Sequence, residues 1–132
     1  MPTFAEISST PNGFRVVPQI PKDAIRLLSH SDYWDGPRSG LLEFNGDRCW
    51  FQVIAENEDK DLRGWYRRFA VVRLTDEQLA EEQRWDKLFR QHVGYRSEGL
   101  RPQEQWQAFY EPYKKRIPLD LSQDEVIAWF EH

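Results

Sequence analysis

Asn45-Gly46, set between two apolar-rich runs, constrains this chain more than any other feature. A two-residue type I′ turn requires positive φ at both central positions, and Asn and Gly adopt it at little cost. The stretch LLEFNGDRCWFQVI, residues 41–54, therefore reads as a β-hairpin, and its turn also fixes the register. Phe44 is expected opposite Asp47, Glu43 opposite Arg48, Leu42 opposite Cys49, and Leu41 opposite Trp50. One face then carries Leu42, Phe44, Cys49, Phe51 and Val53, which reads as core, while Leu41, Glu43, Arg48, Trp50, Gln52 and Ile54 point the other way.

A third strand is expected over 65–74, a run rich in aromatic and β-branched residues with no Pro and no Gly. Alternation separates Tyr66, Arg68, Ala70, Val72 and Leu74 from Trp65, Arg67, Phe69, Val71 and Arg73. The first set has fewer charges and is assigned to the core. Three helices follow, over about 76–93, 102–111 and 123–131. The first has a Thr75/Gln78 capping box, a Leu74/Leu79 staple, acidic residues in its first turn and Gly94 as a left-handed stop. The second opens on Pro102, carries Trp106, Phe109, Tyr110 and Tyr113 as an apolar stripe, and is expected to end near Glu111 because Pro112 has no N–H to donate. The third rests on a Ser122/Glu125 box with a Leu121/Val126 staple. The order of elements is α+β: a small antiparallel meander with three helices packed on one face.

Upstream, residues 1–21 hold four of the 8 prolines and are expected to be extended, with at most a short edge strand over 14–17. Pro21 suits the first position of a short helix to Leu28, although Ala24, Ile25, Leu27 and Leu28 equally suit a strand. Residues 29–40, SHSDYWDGPRSG, read as a loop turning at Asp35-Gly36-Pro37. That loop also carries Tyr33 and Trp34, rings that an ordinary connection does not require.

With 132 residues and no break in composition, the chain fits one domain able to hold its own core, and its 6 tryptophans each bury on the order of 150–250 Å². Cys49 is the sole cysteine, so no internal disulfide can form. The start has neither a basic region nor an apolar one, and no apolar run is long enough for a bilayer, so the cytoplasm is the expected location and no membrane contact is expected. No phosphate-cradling Gly-rich loop, zinc spacing, nucleophile elbow or EF-hand pattern occurs, and no cofactor or metal is expected.

Four groups of residues invite a chemical reading. His30, Asp32 and Asp35 put an imidazole and two carboxylates on one loop, a set suited to a metal or to acid–base work, although aspartates in turns usually bond their own backbone. Cys49 falls on the apolar hairpin face, where a buried thiol is inert, and His92 lies near a helix C-terminus that favours a structural imidazole. The cluster RGWYRR, residues 63–68, and the knot Lys114-Lys115-Arg116 combine cations with rings as nucleic-acid binders do, against a net charge of −4 and the acidic connector ENEDKD, residues 56–61. Trp50, Trp65, Arg67, Phe69 and Arg73, with Tyr33 and Trp34 beside them, are the residue types of protein interfaces. The leading expectation is a non-enzymatic binding domain that recognises another protein, or a second copy of itself, through that second sheet face. The alternatives are an enzyme or metal-dependent protein using the 29–40 loop, and a nucleic-acid binder using the two basic clusters.

Overall fold

The computed structural model describes residues 1–58 and 64–132, which form two compact units. One comprises residues 1–75 with 120–132, and the other residues 76–119.

The first unit contains helix α1 (Phe4–Ser8) and six strands: β1 (Ile25–Leu27), β2 (Asp32–Tyr33), β3 (Pro37–Phe44), β4 (Asp47–Glu56), β5 (Arg67–Arg73) and β6 (Glu125–Glu131). The second contains helices α2 (Asp76–His92) and α3 (Gln103–Lys114). The fold is α+β, with an antiparallel sheet in the order β1-β3-β4-β5-β6 and β2 paired to β3. The β3–β4 hairpin has the register expected from its turn, Phe44 to Asp47 through Leu41 to Trp50, and Asn45 and Gly46 take φ of 52° and 81°.

The two edges of this sheet approach each other. Ile20 donates to the Trp129 carbonyl and Trp129 to that of Pro18, so residues 18–20 run beside β6, whereas β1 runs beside β3. Laid flat, five strand spacings of about 4.8 Å would separate those segments by roughly 24 Å. The five residue steps from Ile20 to Ile25 reach at most about 18 Å. The sheet must therefore curl, and Ile20 and Ile25 both pack on the same inner cluster of Leu42, Cys49, Phe51, Phe69, Val71, Ala128 and Phe130. This interior carries the hairpin's expected core face, with Phe44 and Val53 packed at its margin.

Strand β5 presents the opposite face from the one expected. Phe69 pairs with Val53 and Phe130, and Val71 with Phe51, so both point inward, while Ala70 and Val72 lie with Trp50 and Trp129 on the outside. Counting charges misplaced the strand because Arg67 shares the inward face and is nevertheless buried, with every donor group engaged.

The terminal segment is a strand, not the helix expected over 123–131. Val126, Ala128 and Phe130 are buried with Trp129, and β6 bonds β5 on one side and residues 18–20 and Pro2 on the other, satisfying both edges of its backbone. Ser122, the expected cap, instead takes a bond from its own N–H to Asp120 Oδ1. Residues 1–21 are not simply extended either. Thr3 and Glu6 form a reciprocal capping box that starts α1, and Gly13–Val16 is a 3₁₀ turn where an edge strand was expected. Lys22–Ala24 forms another such turn before β1, and the presumed loop over 29–40 contributes residues 32–33 to β2 and 37–40 to β3.

In the second unit, α2 ends where expected, before Gly94 at φ 82°. Helix α3 continues three residues past Glu111 despite Pro112. Pro112 lies in the last turn, so the helix loses one bond near an end whose carbonyls lack intrahelical partners in any case. Trp85, Val93 and Phe109 form the core of this unit, with Phe109 stacked on Tyr113 at 5.0 Å.

Candidate functional site

The residues expected to form a docking face are divided by the sheet and mostly enclosed. Trp50, Arg67 and Phe69 are 4%, 2% and 2% exposed, and Trp65 only 9%. Arg73 alone of that set is exposed, and it pairs with Glu125 at 3.5 Å. Trp50 points outward from the curled sheet and Phe69 inward, so they share no face. Tyr33 and Trp34 are different: they stand 59% and 74% exposed.

The backbone that carries them is built on Arg67. Strand β5 leaves this guanidinium beneath the 34–37 turn, where Nη2 donates to the Trp34 carbonyl and Nη1 to those of Asp35 (3.2 Å), Gly36 (3.1 Å) and Pro37 (3.5 Å). Four consecutive carbonyls thus converge on one cation, a task suited to the planar fork of Arg and not to a lysine. The chain reverses through Asp35 and Gly36, both at positive φ, and Trp34 N–H closes the turn on the Gly36 carbonyl at 3.0 Å. Arg67 Nε donates to Glu56 Oε2 at 3.1 Å, and Arg38 donates to Glu56 Oε1 at 2.6 Å. Burial alone would raise the Glu56 carboxyl, but these two charge-assisted bonds outweigh it and hold it below the ordinary glutamate range. The acidic connector thus begins with a structural ion pair at Glu56; its residues 59–61 lie outside the described part of the chain. Tyr66 completes the support, donating its hydroxyl proton to Asp35 at 3.5 Å while the Arg67 guanidinium lies over its ring.

Beside this turn opens a cleft of about 520 Å³ lined by Asp35, Gly36, Pro37, Gly64, Trp65, Tyr66, Arg67 and His132. Its walls are the 35–37 turn and the start of β5, and Trp34 immediately precedes that turn in the chain.

The other sequence candidates are engaged elsewhere. Asp32 pairs with Arg38, Asp35 accepts from Tyr66, and His30 packs against the Tyr33 ring at 5.0 Å. Among the described residues no group of three His, Cys, Asp or Glu is placed to hold a metal ion. Cys49 lies in the interior, where burial pushes its thiol up and away from reactive thiolate. His92, half-buried, is the last residue of α2.

Of the first basic cluster, Arg63 lies outside the described residues, Arg67 is committed as above, and Arg68 pairs with Glu131 while covering the Trp65 ring at 4.0 Å. In the second cluster Arg116 is bound through both nitrogens to Glu82, and Lys114 faces Glu111. The Arg67 hub is the feature sequence reading missed. Its only trace was an arginine in a β-pattern otherwise facing inward, together with a Glu at the far end of the neighbouring strand.

No protein-family model, curated protein or solved structure matches this chain.

Proposed function

We propose that this chain is a cytoplasmic, non-enzymatic binding domain that recognises another protein through Tyr33, Trp34 and the cleft beside them. The observation that supports this reading is Trp34 itself, a residue 74% exposed on a backbone held by Arg67, which is 2% exposed. Leaving a large ring in water contributes nothing to the fold. On a partner, a ring of this kind is the residue type that contributes most, commonly about 2 kcal/mol or more when truncated. Fixing its backbone beforehand lowers the ordering cost of association. Such a domain acts by occupying its partner, in the manner of small regulators and immunity-type proteins.

A photo-crosslinking side chain placed at position 34 tests this in extract of the source organism, with position 117 as control because Ile117 is 88% exposed and remote in sequence from the turn. The expected result is a discrete adduct with one other protein from position 34 and none from position 117. No adduct, or the same adducts from both positions, overturns the reading.

A further inference from the structure

Where the edges of the curled sheet approach, the interior opens through a second cavity of about 120 Å³, lined by Lys22, Ile25, Leu27, Pro37, Phe51, Phe69, Phe130 and His132. Three of these residues form a fixed aromatic floor: Phe69 is stacked on Phe130 at 5.0 Å and meets Phe51 edge-on at 5.6 Å. Because these rings are each 1–2% exposed, they belong to the core and the cavity reaches into it. An apolar cavity of about 150 Å³ in a protein interior stays dry and accepts a benzene ring, so this one suits a single ring or a branched chain of similar size. Small barrels hold small ligands at such mouths.

The rim gives the site a sign. Lys22 Nζ lies 3.0 Å from His132 Nδ1. An ammonium has only protons to offer, so Nδ1 is the acceptor, the imidazole is neutral, and its proton resides on Nε2. Among the described residues no carboxylate pairs with Lys22, and its contact with His132 uses one of three N–H groups. The rim therefore presents a cation with donors to spare and a neutral imidazole N–H, above a floor of hydrocarbon.

We propose that this mouth binds a small monocarboxylate with an apolar body the size of one aromatic ring, the ring against Phe51, Phe69 and Phe130 and the carboxylate at Lys22 and His132. Neither Tyr33 nor Trp34 lines the site, which shares only Pro37 and His132 with the cleft of the protein-binding surface proposed above.

Titration of the full chain with benzoate and with its neutral isostere benzamide, followed by NMR of the aromatic side chains, tests the proposal. Benzoate at millimolar concentration shifts the rings of Phe51, Phe69, Phe130 and His132, and benzamide binds about tenfold or more weakly. Lys22→Gln, a change at an exposed position, reduces benzoate affinity by a similar factor and leaves benzamide unaltered. Leu27→Trp, which fills the rim, abolishes binding of both. Absence of shifts at the three phenylalanines, equal affinity for the two probes, or an unchanged benzoate affinity in Lys22→Gln overturns it.

Discussion

The carbonyl of Trp34 accepts a hydrogen bond from Arg67 Nη2, which ties a residue 74% exposed to one 2% exposed. The two residues have opposite tasks. Arg67 shapes the turn from within, and Trp34 contributes nothing to that interior.

This division predicts opposite mutational outcomes. Arg67→Met leaves the carbonyls of residues 34–37 and the Glu56 carboxylate without their donor and should lower unfolding free energy by about 2–3 kcal/mol. Arg67→Lys retains the charge but not the fork, and should lose about 1–2 kcal/mol. Trp34→Ala should change stability by less than about 0.5 kcal/mol. Denaturant titration of the three variants checks this, and a Trp34→Ala loss as large as that of Arg67→Met would make the indole a structural residue.

How far such details can be read in advance depends on how local their causes are. The hairpin's turn and register were legible because Asn45-Gly46 sets them within a few residues. The same holds for the start of α2 and its end at Gly94. Strand β6 was not legible: a five-residue apolar run after a Ser122/Glu125 box suits a helix as well as a strand, and the choice is made by β5 and residues 18–20, more than fifty residues away in sequence. The Thr3/Glu6 box at α1 was a local signal, overshadowed by the surrounding prolines. Arg67 was hidden for a different reason. Its burial becomes favourable only once Glu56 and four backbone carbonyls are in place, and no periodicity encodes that.

A buried ion pair gives a test within the helical unit. Glu82 and Arg116 bond through both oxygens and both nitrogens at 2.7 Å and 3.0 Å, with side chains 4% and 13% exposed. Glu82→Ala strands a buried guanidinium and should cost about 3–5 kcal/mol, whereas replacing both residues by Met should recover most of that loss. The exposed Lys114–Glu111 pair, 3.6 Å apart, is the control: Lys114→Ala should cost no more than about 0.5 kcal/mol. Thermal unfolding of the three variants orders them. A double variant as unstable as Glu82→Ala would show that packing, not charge, governs the site.

Two glycines separate conformational strain from collision. Gly46 and Gly94 have nearly the same φ, 81° and 82°. A Cβ at Gly46 meets nothing within 4 Å, whereas one at Gly94 would lie 2.3 Å from the Gly99 carbonyl oxygen, in the turn that also receives the bond from Arg101 N–H to Val93. Gly46→Ala should therefore cost about 1 kcal/mol, the penalty of the left-handed conformation alone. Gly94→Ala should cost at least about 1–2 kcal/mol more. Equal losses in denaturant titration would mean that the 94–99 turn gives way freely.

His132 makes stability depend on pH in a stated direction. Burial first, then the charges of Lys22 and Arg67, push its pKa below the ordinary value of 6.5, in keeping with an imidazole that accepts a hydrogen bond from Lys22. The unfolded chain takes up a proton near pH 6.5 that the folded chain refuses, so the unfolded state binds more protons in this range and stability falls with falling pH. The loss begins as pH drops through 6.5 and stops once the folded chain's own depressed pKa is passed. Unfolding measured from about pH 7.5 to pH 5 should show a steeper decline for the native chain than for His132→Gln. Glu56 does not confuse the comparison, because its carboxyl is held below 4.5 and titrates outside that window. Identical slopes for the two proteins would mean that His132 accepts its proton equally well folded and unfolded, and that the hydrogen bond from Lys22 does not persist in solution.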